Sequence, residues 1–171
     1  RLHDYQKQRI LTFINPTAHP LGSSYNSMMA IIAVGSGMFF GKGIAEGTQS
    51  GLRFLPERHT DFIFATLAEG LGFIGSMLVI CALLALCYRV YVIYRTTSDA
   101  FTRIFAVCCF GFFLIQGVAN IGMNVGYLPI VGVTLPFVSF GGSSLVCNFI
   151  FLGMLSSLST SQRNKDVLEI R

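Results

Sequence analysis

The feature that most constrains this chain is a long stretch without charge, since positions 104 to 162 contain no Asp, Glu, Lys, Arg or His. A helix that spans a bilayer needs about 20 apolar residues, so the stretch has room for two such helices and a loop. The whole chain is 53% hydrophobic and 12% charged, whereas soluble domains carry roughly 25% charged residues. Because a lipid-exposed backbone must satisfy its own hydrogen bonds, the sequence predicts an all-α, polytopic integral membrane protein.

The apolar runs predict three transmembrane helices, at 62–94, 104–123 and 143–160. Short loops on the cytoplasmic side carry an excess of Lys and Arg. Such residues lie around the first link (Arg89, Arg95, Arg103) and after the third span (Arg163, Lys165, Arg171). We therefore expect the 95–103 link and the 161–171 tail in the cytoplasm, and the 1–61 and 124–142 segments outside.

The outer segment 1–61 contains another uncharged stretch, from Pro20 to Gly41. It is rich in Gly and Ser and its apolar core is short, which favours a re-entrant or interfacial helix over a fourth span. Labelling of cysteines placed at Asn15 and at Gln49 separates these topologies, because a fourth span puts the two positions on opposite faces. The chain opens on a polar stretch without a start methionine, so we expect it to be a piece of a larger protein.

The cysteines and the net charge reduce the number of functions that the chain could have. The five cysteines lie in apolar runs without CxxC or Cys/His metal spacing, which predicts that they pack as small hydrophobic residues. A net charge of +4 without a basic run indicates no nucleic-acid partner. The residues imply no particular cofactor and leave assistance by a divalent metal open.

A polar cluster stands directly before the first span, and it includes Arg58, His59, Thr60 and Asp61. One interpretation makes Thr60 or Asp61 the N-cap of the span, where a side-chain oxygen accepts a backbone N–H and the helix dipole favours an acid. The other makes Asp61 a general base at the membrane surface. In that case Arg58 and His59 tune the carboxylate or hold an anionic group.

Glu69 is a second acid, eight residues beyond Asp61. At 1.5 Å per residue it lies about 12 Å further along the helix, on a broadly shared face. An acid within a span is a candidate functional residue; the alternative is a buried carboxyl group bonded to another helix. Lys42, in a glycine-rich outer loop, is a candidate cation for an anionic substrate, or an ordinary solvated side chain.

The uncharged outer loop 124–142 ends in Gly141-Gly142, and Ser143 opens the third span. Backbone N–H groups at a helix start suit an anion such as a diphosphate. The alternative is a serine N-cap, with the glycines allowing close helix packing. Two Leu-Pro pairs and several glycines in this loop indicate irregular backbone, which is tolerated at membrane depth only where protein buries it or where it lines a cavity.

Together these segments resemble the RodA/FtsW/SpoVE family, whose members polymerise cell-wall glycan. The resemblance rests on stretches in family order, among them 4–6, 41–43, 47–49, 54–65 and 120–144. The residues in these stretches are more similar to the rod-shape branch of the family than to the division branch. The chain departs from the family pattern at Gly70, where a second Glu is usual, and at Phe140, where a Tyr is usual.

The resemblance implies a larger set of spans in a complete member, in the bacterial cytoplasmic membrane. It implies that Asp61 takes a proton from the acceptor, lipid II, and that undecaprenyl diphosphate leaves with its charge countered by Lys42, Arg58 or Arg9. The implied partners are a class B penicillin-binding protein (a transpeptidase) and other membrane proteins of the elongation complex. Two alternatives remain open: a lipid II flippase, and a scaffold that recruits a transpeptidase without chemistry.

Overall fold

The computed structural model describes residues 23–43 and 60–169, and every regular element in these ranges is a helix. Helix α1 is Ser23–Ser36, α2 is Ile63–Thr96, α3 is Ala100–Val125 and α4 is Gly142–Glu169. Three of them, α2, α3 and α4, are long and apolar enough to cross a membrane. The predicted fold class, an all-α polytopic membrane protein with a shorter helix in its first segment, is confirmed.

Helix α1 is too short to cross a membrane. Its 14 residues extend about 21 Å at 1.5 Å per residue, against roughly 30 Å of hydrocarbon. It packs on α2 and α3, with Ala30 and Ala33 in one buried cluster with Phe62 and Ala65. Small side chains let helix backbones approach closely, so α1 packs tightly against the N-terminal part of α2.

The ends of α2 and α3 differ from the predicted bounds for identifiable reasons. Asp99 caps α3: its Oδ2 accepts the Thr102 backbone N–H at 2.9 Å and the Thr102 hydroxyl at 2.9 Å. The link expected at 95–103 is therefore only 97–99. At its other end α3 continues to Val125 and stops at Gly126, which is left-handed. The sides of the membrane that these ends face remain a prediction.

The inner core lies where α2, α3 and α4 meet, and Phe113 is at its centre. Its buried members are Cys87, Val90, Ala106, Cys109, Phe113 and Leu155. The Phe113 ring lies 5.7 Å from that of Phe137, between ring centroids. Away from this core the helices present large apolar side chains outward, for example Leu78 at 68% exposure, a surface that suits lipid or further helices.

Helix α2 is broken at Gly72, which has φ 69° and ψ −160°. Residues 37–43, which we call the tip turn, follow α1 and dock at this break. In an unbroken helix the N–H groups of Phe73 and Ile74 would bond the carbonyls of Glu69 and Gly70. Here these four backbone groups bond the tip turn instead. The bonds are Phe73 N to Met38 O (2.8 Å), Ile74 N to Phe39 O (3.3 Å), Lys42 N to Glu69 O (3.0 Å) and Gly43 N to Gly70 O (3.1 Å).

This exchange of partners gives each of the four groups a hydrogen bond, as backbone within a membrane span requires. The turn that follows α1 thus docks on a span. The choice between a re-entrant and an interfacial helix for the 20–41 stretch remains a prediction.

Candidate functional site

Asp61 lies in the turn that leads into α2, and its position is not that of a helix cap. The helix begins at Ile63, and Phe62 occupies the N-cap position without a side-chain capping bond. The interpretation of Thr60 or Asp61 as the N-cap is therefore wrong. The rest of the molecule, and not the helix end alone, must fix this acid.

Three side chains from outside α2 hold the backbone at Thr60 and Asp61. The Ser139 hydroxyl donates to the Thr60 carbonyl at 2.7 Å and accepts the Leu135 N–H at 2.7 Å. Two amides of α3, those of Asn120 and Asn124, donate to the Asp61 carbonyl at 3.0 Å each. Both asparagines and Ser139 are buried, so these bonds form away from competing water.

The same asparagines tie Asp61 to the loop between α3 and α4. The Asn120 amide also donates to the Val133 carbonyl at 2.6 Å. Beside it, Gly132 has φ +75°, a left-handed conformation that favours glycine. A Cβ on Gly132 would lie 3.4 Å from Asp61 Oδ2, so this glycine borders the carboxylate and leaves space next to it.

The structure places Glu69 and Lys42 together at the break in α2, eight residues further along the chain than Asp61 in the case of Glu69. Glu69 is fully buried, and its backbone carbonyl accepts the Lys42 N–H. The Lys42 side chain is exposed. Of the two sequence interpretations for Glu69, its burial against the tip turn favours a carboxyl group held within the protein.

Gly141, Gly142 and Ser143 form the start of α4, which begins at Gly142. Ser143 therefore lies inside the first turn and does not precede it. The contact with the Asp61 segment is made by Ser139, two residues before Gly141. Ser144 and Thr134 share a hydrogen bond of 2.8 Å between their hydroxyls, which fastens the start of α4 to the loop that borders Asp61.

Of the candidates from the sequence, Arg58 and His59 lie outside the described residues. Asp61 is brought together with the 130–139 loop and α3, whereas Glu69 and Lys42 form a separate group at the break. Sequence reasoning missed Asn120, Asn124, Ser139 and Gly132 as parts of the site. The available signal was a pair of amides one turn apart in an apolar helix, where polar side chains are costly and mark function.

Fold and site define a class: a polytopic helical membrane protein that holds the backbone of an acidic residue at the start of a span. The family model described as cell cycle protein, FtsW/RodA/SpoVE, matches residues 1–164. The chain belongs to the FtsW/RodA/SpoVE family. This membership and its three spans place it in the bacterial inner membrane.

Individual relatives agree with this assignment. Peptidoglycan glycosyltransferase MrdB of Escherichia coli K12 is 43% identical over 162 residues, covering 95% of this chain and 44% of the relative. A probable peptidoglycan glycosyltransferase FtsW of Coxiella burnetii is 40% identical, covering 95% and 44%. A chain of a solved peptidoglycan synthase complex, described for its coordination of polymerization and crosslinking, superposes with a TM-score of 0.75 at 28% identity, covering 94% and 43%. This chain thus spans less than half the length of these relatives.

Proposed function

We propose that the protein is a peptidoglycan glycosyltransferase that polymerises lipid II into glycan strands during cell elongation, with Asp61 as the general base. The observation that carries the proposal is the fixation of the Thr60–Asp61 backbone by Ser139, Asn120 and Asn124. A general base must be held within hydrogen-bond reach of the proton that it removes. An acid that only capped a helix would need none of these contacts.

The proposed reaction is an inverting transfer. The Asp61 carboxylate takes the proton of the acceptor sugar hydroxyl of lipid II, and that oxygen attacks the anomeric carbon of the growing lipid-linked glycan. The bond from this carbon to the diphosphate breaks, and undecaprenyl diphosphate leaves with the electron pair. Because a diphosphate is a good leaving group, one base together with positioning of the two substrates suffices. Lys42, together with Arg58 and His59, is the proposed source of positive charge near the leaving group.

An apolar cleft is evidence that the substrate is linked to a lipid. It measures about 620 Å³ and lies between α1, the tip turn and α2, with Met38, Phe39, Phe64, Phe73 and Met77 in its lining. Phe64 is only three residues from Asp61 along the chain, so the cleft begins close to the proposed base. A wall of this composition suits a hydrocarbon chain.

We further propose that the protein works beside a crosslinking transpeptidase of the class B penicillin-binding type. Support comes from the superposed chain, which belongs to a complex that couples polymerization and crosslinking. The exposed apolar side chains along α2 and α3 offer surface for a membrane helix of such a partner, for further helices of the protein, or for lipid.

The test is Asp61→Asn in the protein produced from its complete coding region, reconstituted with lipid II and the transpeptidase. We expect glycan polymer to disappear while the thermal unfolding midpoint stays within a few degrees of the unsubstituted protein. Asp99→Asn is the matched control: it removes a carboxylate at the opposite end of α2 and keeps a residue that caps α3 well. Unchanged polymer with Asp61→Asn removes this acid from the mechanism. Lipid II flipping without any polymer from the unsubstituted protein would indicate a transporter.

A further inference from the structure

The Ala65 N–H belongs to the first turn of α2, where backbone donors have no partner within the helix, and a side chain from α3 satisfies it. In a continuous helix the Asp61 carbonyl would accept the Ala65 N–H. Here the Ala65 N–H donates to Oδ1 of Asn124 at 3.3 Å, and the Asp61 carbonyl accepts from Nδ2 of Asn124 at 3.0 Å. The next pair, Thr66 N–H to the Phe62 carbonyl, is regular at 3.1 Å. The Asn124 amide is thus inserted into a single turn.

The contacts of this amide fix its orientation. Its Nδ2 also donates to the Asn120 carbonyl at 2.8 Å, and its Oδ1 serves the Ala65 N–H. A carboxamide has two N–H donors and one carbonyl acceptor, and both ends of this one are engaged. Asn120 reinforces the arrangement by donating to the same Asp61 carbonyl. Both asparagines have 0% exposure, so no solvent competes for these bonds.

We infer that Asn124 is a positioning residue, whose inserted amide holds the first turn of α2 open and so turns the Asp61 carboxylate toward Gly132. Without the insertion, Asp61 and Ala65 would bond each other and α2 would begin one residue earlier, with Asp61 as its N-cap. The position of Asp61 would then be set by the helix end itself. The inference rests on the proposed function, because it assigns Asn124 to the positioning of the proposed base.

The inference predicts a specific kinetic signature. Asn124→Leu keeps the approximate size of the side chain, removes its donors and acceptor, and leaves Asp61 and Ala65 able to form their helical bond. We expect kcat for lipid II polymerisation to fall by about 100-fold, the loss that a misplacement of about 1 Å produces, with KM unchanged within about twofold. A loss confined to kcat is the signature of a misplaced base, whereas a general loss of folded protein would lower the yield of active protein and the unfolding midpoint.

Asn148→Leu is the matched control. Asn148 is another buried asparagine, on α4, and its side-chain nitrogen and oxygen have no hydrogen-bond partner within the described part of the chain. We expect this variant to keep kcat, and both leucine variants to unfold at a midpoint no lower than that of the unsubstituted protein. An Asn124→Leu protein with normal kcat, or an equal loss of kcat in Asn148→Leu, overturns the inference.

A structure of the Asn124→Leu variant supplies a test that does not depend on activity. We expect a hydrogen bond from the Ala65 N–H to the Asp61 carbonyl and a helix that begins before Ile63. A variant whose α2 still begins at Ile63 refutes the role of the amide in holding the turn open. If polymerisation survives Asp61→Asn, the proposed function fails, whereas this structural result still decides whether Asn124 sets the turn.

Discussion

Replacing Gly72 with alanine should separate the tip turn from α2 and leave the helix itself intact. Gly72 has φ 69° and ψ −160°, a region that is essentially restricted to glycine, where other residues incur roughly 1–3 kcal/mol of strain. A Cβ at this position would also overlap the backbone of Gly41 and lie 2.7 Å from the Phe39 carbonyl oxygen. Because these neighbours are backbone atoms, no change of side-chain rotamer can make room.

The expected loss of docking free energy follows from the four hydrogen bonds that change partner at the break in α2. When α2 straightens, Phe73 and Ile74 regain the Glu69 and Gly70 carbonyls, so the helix loses no hydrogen bond, and Gly to Ala in a helix favours it by about 1 kcal/mol. The tip turn loses all four of its bonds to α2. At about 1 kcal/mol for each bond, its docking weakens by about 4 kcal/mol.

Hydrogen exchange measures this difference residue by residue. Since every 1.4 kcal/mol is about tenfold, 4 kcal/mol corresponds to an increase of up to roughly 1,000-fold in the exchange of the tip-turn amides, Lys42 and Gly43. The amides of Phe73 and Ile74 should remain protected, because they return to helical partners. Gly111→Ala is the control, since a Cβ there meets nothing within 4 Å. Unchanged protection at Lys42 and Gly43, or equal loss at Phe73 and Ile74, would refute the exchange of partners.

Three further substitutions test the contacts around the site and between the spans. Ser139→Ala removes the bond to the Thr60 carbonyl and should destabilise the protein by about 1–3 kcal/mol, measured by thermal unfolding, with a lower polymerisation rate. Gly132→Ala places a side chain at φ +75° beside Asp61; about 1–2 kcal/mol of strain should appear as a lower unfolding midpoint, and the polymerisation rate should fall. Gly117→Ala would push a Cβ against the Leu83 side chain and should weaken α2–α3 packing by about 1–3 kcal/mol. Adding Leu83→Ala should recover part of that loss, and a further loss would contradict the contact.

Hydropathy predicted the spans because it is a local property, and each predicted span overlaps a helix of the structure. The break in α2 was not predictable in the same way. Gly70 and Gly72 stand in an apolar run, where small residues usually serve close helix packing. Their role here depends on the tip turn, whose carbonyls and N–H groups come from about thirty residues away along the chain.

The same distinction applies to the site: features local in the sequence could be predicted, and contacts between distant residues could not. Asp61 was recognisable because it stands in a polar cluster directly before a span, within a stretch that resembles the family. Its supports were not recognisable, because Asn120 and Asn124 lie 59 and 63 residues from it along the chain and only the fold brings them to its carbonyl. A single sequence shows that a polar residue in an apolar helix needs a partner; it does not identify that partner.

The Asn124 contact at the start of α2 and the break at Gly72 together set the N-terminal part of α2 apart from the rest of the helix. The segment from Ile63 to Leu71 is bounded at its start by the inserted amide of Asn124 and at its end by the break at Gly72. At both ends its backbone groups bond other elements, α3 at one end and the tip turn at the other, where a continuous helix would bond itself. The position of Asp61 is therefore governed by α3 and by the 130–139 loop, which hold the backbone at Thr60 and Asp61. The hydrogen bonds that Phe73 and Ile74 would make across Gly72 in a continuous helix are replaced by bonds to the tip turn, so fewer helical hydrogen bonds join the long apolar remainder of α2 to the segment that follows Asp61.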